Sequence, residues 1–290
     1  MKRHVILTGF TDELADSFDE QITGAKKNGL THIEIRAIDG KNIADCSKHE
    51  IEKAKQKLDT AGIKVSTIGS PIGKIDIKEP FEKHFNQYQK MVEYAKLFDT
   101  PYIRMFSFYM PEGEDKYSYE DEVMERLSRL VDYAADQDVI LLHENEKKIF
   151  GDDARGCKKI MERFYGDHLK AIFDFANFVE CGQDTLEAYE ILKDYVSYIH
   201  IKDAQWDSKL VVPAGMGDGN VQEILRQLKA KNFEGFLSLE PHLTHFSGIK
   251  KLEDEDAHST DKERLLADRP FAFDIAVHAL KAILWDLDWA

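Results

Sequence analysis

The chain has 290 residues, of which 43% are hydrophobic, so it can bury a large core without disulfides, and its three cysteines include no CxxC pair. Its net charge is −15 and it has no dense stripe of lysine and arginine, which disfavours nucleic acid as a partner. No apolar run approaches the ~20 residues of a membrane span or the length of a signal-peptide core, so we expect a cytoplasmic protein with no membrane partner.

Eight short apolar or β-branched runs recur along the chain and predict eight β-strands. They begin at residues 4, 31, 63, 101, 139, 170, 196 and 235, at intervals of 26 to 39 residues. Each interval holds one strand, one helix and two loops, which is the length of a βα unit.

The segments between these runs have the spacing of amphipathic helices. Apolar residues recur three or four positions apart over 51–61, 81–95, 123–134 and 275–283. Gly29 and Gly62 stand just before predicted strands, where helices commonly end. The glycines at 215, 217 and 219 lack the spacing of a dinucleotide-binding loop, so they predict a loop ahead of a helix.

Eight alternating units without a Pro/Gly/Ser-rich linker predict one closed parallel (β/α)8 TIM barrel, a single domain over residues 1–290. An open doubly wound sheet is the alternative, and it is disfavoured because no GxGxxG motif opens the first helix. The charged stretch 250–269 interrupts the pattern before Pro270 restarts a helix. This stretch is either a solvated excursion or a lid or subunit contact, which leaves a homo-oligomer open.

Polar residues end four successive predicted strands. They are Glu144, Asp174, His200 and Glu240. In a parallel barrel these strand ends form the active-site face, and neighbouring strands lie ~4.8 Å apart. Each residue alone is more often a helix cap or an ion-pair partner. In register, three carboxylates and one imidazole predict a site for one divalent ion: Mn, Mg, Co or Zn.

Several motifs resemble those of the xylose-isomerase-like superfamily of sugar phosphate isomerases and epimerases. They are HEN (143–145), FDFAN (173–177), YIHIKDA (198–204) and LSLEPH (237–242), and the likeness extends to GSPIGK (69–74) and IRMFSFY (103–109). The resemblance implies that the four residues bind one divalent ion and that Glu144 and Glu240 are an acid/base pair. Ketose epimerases of this superfamily carry a substrate-contacting histidine where this chain has Asn177, and an arginine where it has Trp206.

Such a site can move a proton next to a carbonyl through an enediolate, which gives epimerisation or isomerisation of a small sugar, sugar phosphate or polyol. Loss of a β-hydroxyl instead would give an inosose-type dehydratase. Further polar residues near the same strand ends predict the substrate contacts. These are Glu34, Arg104, Asn145, Asn177, Lys202 and His242. An interior ion pair between Arg104 and Glu34 is the alternative to a substrate contact for Arg104.

Two other functions are compatible with a barrel of this kind but are disfavoured by the residues present. An endonuclease IV-like phosphodiesterase needs additional histidines, but predicted strands three and four end in Ser70 and Ser107, and Asn177 replaces another. A non-catalytic sugar-binding barrel is disfavoured because both candidate acid/base glutamates are present. The loop 69–74 could present backbone amides to an anion.

Overall fold

Eight parallel strands form a nearly closed barrel in the computed structural model, which describes residues 5–244 and 268–289. From β1 to β8 the strands are Val5–Gly9, His32–Ile35, Lys64–Ile68, Tyr102–Met105, Ile140–Glu144, Leu169–Asp174, Val196–Ile201 and Gly235–Leu239. Their order around the sheet follows the chain, and β8 returns to pair with β1. A parallel bridge between Phe10 and Glu34 joins the ends of β1 and β2. The predicted (β/α)8 TIM barrel is confirmed.

Helices surround the strands. In the described residues α1 to α9 are Phe18–Lys27, Lys48–Ala61, Phe81–Leu97, Glu120–Gln137, Ala154–Phe164, Phe175–Glu180, Thr185–Leu192, Val221–Ala230 and Arg269–Asp286. The four helical periodicities in the sequence fall within α2, α3, α4 and α9. No helix in these described parts is long and apolar enough to cross a membrane. The predicted excursion at 250–269 lies mainly within 245–267, outside the described residues, so its role stays a prediction.

The second helix shows how local sequence sets an element's limits. Ser47 accepts a hydrogen bond from the backbone N–H of Glu50, whose side chain accepts one from the backbone of Ser47. At the other end, Gly62 has a φ of 70°, the left-handed conformation that stops a helix at little cost to glycine. The apolar face between these caps is buried against the barrel.

A buried polar network runs through the barrel interior and leads toward the C-terminal strand ends. The hydroxyl of Ser66 lies 2.8 Å from that of Thr8 and 3.1 Å from that of Tyr198. Tyr198 and Ser238 both donate to Glu34 Oε2, at 2.9 and 2.6 Å. These hydrogen bonds reduce the cost of burying the hydroxyls and Glu34 Oε2, whereas Glu34 Oε1 is buried without a hydrogen-bond partner among the described residues. The network places Glu34 directly beneath the candidate site.

Candidate active site

Four ligand-type side chains meet at the C-terminal ends of β5 to β8. They are Glu144, Asp174, His200 and Glu240, and their ligand atoms lie within 4.8 Å of one another. Nδ1 of His200 is 2.7 Å from Glu144 Oε1, 3.6 Å from Glu240 Oε2 and 4.0 Å from Asp174 Oδ2. Each of the four side chains is at most 4% exposed. The structure thus brings together the set that the strand ends predicted.

The two glutamates are held in the same manner. Glu144 Oε2 lies 3.2 Å from Nη1 of Arg104, and Glu240 Oε1 lies 3.0 Å from Nη1 of Arg36. The other oxygen of each glutamate, Oε1 of Glu144 and Oε2 of Glu240, is the one nearer to His200 Nδ1. Each carboxylate therefore has one oxygen fixed by a guanidinium and one turned toward the centre of the cluster.

The ring of His200 is oriented by carboxylates on both sides. Its Nε2 lies 3.2 Å from Glu34 Oε2, at the end of the interior polar network, so Nδ1 is directed toward Glu144. Burial alone would lower the pKa of His200. The carboxylates of Glu144 and Glu34 outweigh burial and raise that pKa well above its usual value. Glu34 therefore lies behind the histidine, away from the other three ligand-type residues.

Asp174 is positioned by a neighbour in sequence and by a residue that directly follows β5. Its Oδ1 accepts a hydrogen bond of 2.8 Å from the backbone N–H of Asn177 and caps α6. The side chain of Asn145 donates to the carbonyl of Asp174 and accepts from its N–H, at 3.0 and 2.9 Å. Asn177 Nδ2 donates to the carbonyl of Asn145 at 2.8 Å. Both asparagines border the cluster, but their amides already have partners within the chain.

The donor set suits a divalent cation. Asp174 Oδ2 is buried and accepts no hydrogen bond from the described residues, although Lys202 Nζ lies 3.3 Å away. Burial is the largest influence on Asp174 and raises its pKa to about 8, against the opposing charge of Lys202. A buried carboxylate oxygen without a donor, beside two further carboxylates and an imidazole, is the environment that a divalent ion stabilises.

Lys202 and Arg104 both point into the barrel mouth. Lys202 Nζ lies 3.1 Å from Glu240 Oε2, and nearby carboxylates raise its pKa well above the usual value although burial opposes this. Arg104 pairs with Glu144. Among the described residues it does not form the alternative ion pair with Glu34. Both cations therefore lie against the inward-facing carboxylates.

A second group of charged residues lies between β1, β2 and β8, and sequence reasoning missed two of them, Asp12 and Glu13. Arg36 Nε is 2.9 Å from Asp12 Oδ2, and its Nη2 is 3.2 Å from Glu13 Oε1. His242 Nε2 lies 3.5 Å from both Glu13 Oε1 and Glu240 Oε1. Burial is the main cause that raises the pKa of Glu13 to about 8 and lowers that of His242 to about 4. The sequence did contain a signal for these two acidic residues, because Asp12 and Glu13 follow the end of β1, on the same face of the barrel as the other strand ends.

Sequence reasoning also missed an ion pair at the rim. Lys74 Nζ lies 2.9 Å from Glu146 Oε2, and it lies 4.3 Å from the centre of the Phe106 ring. Burial would raise the pKa of Glu146, but the charges of Lys74 and Lys202 outweigh it and lower the pKa to about 2. Glu146 is thus an anion that belongs to the same electrostatic environment as the cluster.

The loop 69–74 does not offer its amides to an anion. The N–H of Gly73 donates to His84 Nε2 at 2.7 Å, that of Ile72 to Ser70 Oγ at 3.3 Å, and that of Lys74 to the carbonyl of Pro71 at 3.0 Å. With these three donors used inside the protein, the contribution of this loop to the site is the side chain of Lys74.

Residues 22–265 match the family described as xylose isomerase-like TIM barrel, and the chain belongs to this family. A 3-dehydroshikimate dehydratase from Bacillus anthracis is 20% identical over 203 residues, which cover 70% of this chain and 72% of that protein. This relative and the solved structures that resemble the chain include both dehydratases and epimerases.

Two solved structures illustrate the shared fold. A D-allulose 3-epimerase from Methylomonas sp. superimposes with a TM-score of 0.72 at 14% identity, covering 97% of this chain and 98% of that one. A xylose isomerase-like TIM barrel protein from Mycobacterium smegmatis, in complex with magnesium, has a TM-score of 0.64 at 16% identity, covering 97% and 100%. At these identities the likeness establishes the fold, and the chemistry depends on the residues of the site itself.

Proposed function

We propose that this protein is a divalent-metal-dependent isomerase or epimerase that moves a proton on a small sugar or polyol. The observation that supports it best is the matched arrangement of Glu144 and Glu240. Each has one oxygen on an arginine and turns the other toward the same point beside His200. Two carboxylates that face one point can remove a proton from a substrate carbon and return it.

The surrounding side chains have defined roles in this proposal. Glu144, Asp174, His200 and Glu240 would hold the ion, which supplies electrostatic stabilisation of the negative charge that develops on substrate oxygens. Arg104 and Arg36 hold the outer oxygens of the two glutamates and so fix the orientation of both carboxyl groups.

Lys202, Glu34 and the two asparagines complete the assignment. Lys202 has three N–H donors and contacts Glu240 and Asp174, so it can also donate to a substrate oxygen. Glu34 fixes the ring of His200. Asn145 and Asn177 hold Asp174 in place, and His242 borders the site beside Glu240.

The proton transfer balances within these residues. The inward oxygen of one glutamate takes the proton from the carbon next to a carbonyl, and the electron pair moves into the substrate as an enediolate. The second carboxyl group, in its protonated form, returns a proton. Return to the opposite face of the same carbon gives the epimer. Return to the neighbouring carbon gives the isomer, and in that case a proton must also pass from the hydroxyl on the first carbon to the former carbonyl oxygen.

Dehydration is a second candidate, favoured by the similarity to the 3-dehydroshikimate dehydratase. Its first step is the same proton removal, but the second carboxyl group then gives its proton to a departing β-hydroxyl, which leaves as water. The same pair of glutamates serves both reactions, so the products must distinguish them.

Turnover in deuterated water tests the proposal. Protein loaded with Mn²⁺ is incubated with a panel of ketoses and with 3-dehydroshikimate, and the products are examined by NMR and mass spectrometry. We expect a rearranged sugar that carries solvent deuterium at the reacting carbon. Glu144→Gln and Glu240→Gln should each abolish this label while metal analysis shows the ion retained, and the exposed Glu162→Gln on α5 should leave it unchanged.

Each other result has a defined meaning. An unsaturated product formed with loss of water supports the dehydratase. A sugar product without solvent label indicates hydride transfer and contradicts the proposal. Label that survives both substitutions shows that other residues carry the proton.

A further inference from the structure

The ion pair of Lys74 and Glu146 occupies the shallow edge of the candidate active site. Lys74 comes from the loop after β3 and Glu146 from the loop after β5. Their side chains are 12% and 15% exposed, whereas those of Glu144 and Asp174 are 2% and 0% exposed. The pair therefore lies nearer to solvent than the ligand-type residues, where the outer part of a bound substrate would be.

This rim pair is connected to the deeper residues by direct contacts. The ring of Phe106 has Lys74 Nζ 4.3 Å from its centre and the guanidinium of Arg104 at 5.0 Å. Glu146 is close enough to Lys202 for the two charges to influence each other. A molecule that reaches the inward oxygens of the two catalytic glutamates would thus extend toward this pair.

The described cations of the site are already matched with carboxylates. The pairs are Arg104 with Glu144, Lys202 with Asp174 and Glu240, Arg36 with Asp12, Glu13 and Glu240, and Lys74 with Glu146. A phosphate or carboxylate on the substrate would have to displace one of these carboxylates or remain beside their negative charge. Both routes are costly in a desolvated site.

We propose that Lys74 and Glu146 together bind two neighbouring hydroxyl groups of an uncharged polyol, and that they select uncharged sugars over phosphorylated or carboxylated ones. This inference rests on the proposed function and specifies its substrate class. Lys74 has three N–H donors, and its ion pair with Glu146 uses one of them. A diol can accept from the ammonium with one hydroxyl and donate to the carboxylate with the other, so both charges stay compensated.

Two variants of the rim pair test the inference by binding. Calorimetry on Mn²⁺-loaded protein compares uncharged ketoses, their single-deoxy analogues and a ketose phosphate. Lys74→Met and Glu146→Gln should each weaken binding of the uncharged ketose about tenfold or more, the usual effect of losing a hydrogen bond to a charged group. The KM for turnover should rise with little change in kcat, because the pair does not touch the reacting carbon.

One of the rim variants should gain binding of a charged ligand, which a misfolded protein could not do. Glu146→Gln leaves the ammonium of Lys74 without its counter-charge, so this variant should bind the ketose phosphate more tightly than the wild type does. A deoxy analogue that lacks the recognised hydroxyl should bind the wild type about tenfold more weakly and should lose nothing further in Lys74→Met. Lys159→Met, which breaks a 2.9 Å pair with Glu120 on the outer helices, is the matched control.

The inference and the proposed function can fail separately. Unchanged ketose binding in both rim variants overturns the inference even if Glu144→Gln abolishes proton exchange. A wild type that binds the ketose phosphate or 3-dehydroshikimate more tightly than every uncharged ketose also overturns it. Selective ketose binding that depends on the rim pair, without solvent exchange, supports the inference and contradicts the proposed chemistry.

Discussion

His84, on α3, accepts a hydrogen bond that its charged form could not accept. The N–H of Gly73 donates to Nε2 at 2.7 Å, which requires this nitrogen to carry no proton. Burial, with a smaller contribution from the charge of Arg126, lowers the pKa of His84 from 6.5 to about 4. Between these values the unfolded chain binds more protons than the folded one. The stability that this histidine confers is therefore present above pH 6.5 and is lost as the pH falls toward 4.

The lowered pKa of His84 predicts how the free energy of unfolding depends on pH in a variant without this histidine. His84→Gln keeps an acceptor for Gly73 but does not titrate. From pH 7 to pH 4.5, the free energy of unfolding of the wild type should fall by about 2 kcal/mol more than that of His84→Gln. Urea unfolding at the two pH values measures the difference. The exposed His49→Gln should follow the wild type, and equal declines in wild type and His84→Gln would contradict the argument.

The sequence predicts a residue's part in the site only where the cause is local. Glu144 and Asp174 end apolar runs, and this position is visible in the chain itself. The pairing of Arg36 with Asp12 and Glu13 depends on the approach of β2 to the loop after β1, which no periodicity encodes. For the same reason the contacts of Asn145 with the backbone of Asp174 were not predicted.

At the scale of elements, the loop between β7 and α8 is built around one carboxylate. Asp203 is fully buried and accepts backbone hydrogen bonds from Ala204, Gly215, Gly217 and Gly219 at 2.9 to 3.0 Å. A Cβ on Gly217 would lie 2.5 Å from Asp203 Oδ1. Gly217 and Gly219 are therefore needed for close approach to the carboxylate. The predicted loop is confirmed, and the residue that orders it, Asp203, lies 12 to 16 residues before the glycines in the chain.

Removing one acceptor from this loop should be costly. Asp203→Asn places an NH₂ group against backbone N–H donors and leaves some of them unsatisfied, so we expect a loss of about 2–4 kcal/mol in the free energy of unfolding. Urea unfolding and limited proteolysis of the loop 205–219 measure it. Gly217→Ala should destabilise in the same direction. Gly166→Ala is the control, because its Cβ would meet no atom nearer than 4.0 Å. Equal stability of Asp203→Asn and the wild type would show that the loop does not depend on this carboxylate.

At the scale of the molecule, the candidate ligands tie together distant parts of the chain. Glu144, Asp174, His200 and Glu240 lie on four neighbouring positions of the barrel wall and span 97 residues of sequence. The eight repeated strand–helix units predicted that these four side chains lie close together, since a closed parallel barrel places the carboxyl ends of all its strands on one face. The repeated units could not predict which cation compensates which carboxylate, because the pairs form between the ends of different strands: β2 with β8, β4 with β5, and β7 with β8.

An ion that binds all four strands should stabilise the folded barrel, because the unfolded chain does not hold the four ligands together. At a free concentration 100-fold above Kd the gain is about 2.7 kcal/mol. Melting followed with increasing Mn²⁺ should therefore show a Tm that rises by several degrees, about 2–4 °C for each kcal/mol in a chain of this size, and falls again with chelator.

His200→Ala should remove most of this rise, because it deletes the one imidazole of the set and the group that separates the carboxylates of Glu144 and Glu34. We expect this variant to lose more free energy of Mn²⁺ binding than free energy of unfolding measured without metal. Metal analysis after dialysis and the Mn²⁺-dependent shift in Tm report the two quantities separately. His32→Ala, at the opposite end of the barrel, should keep the full shift. If the Mn²⁺-dependent rise in Tm of His200→Ala equalled that of the wild type, other residues would hold the ion. The candidate metal centre would then be wrong.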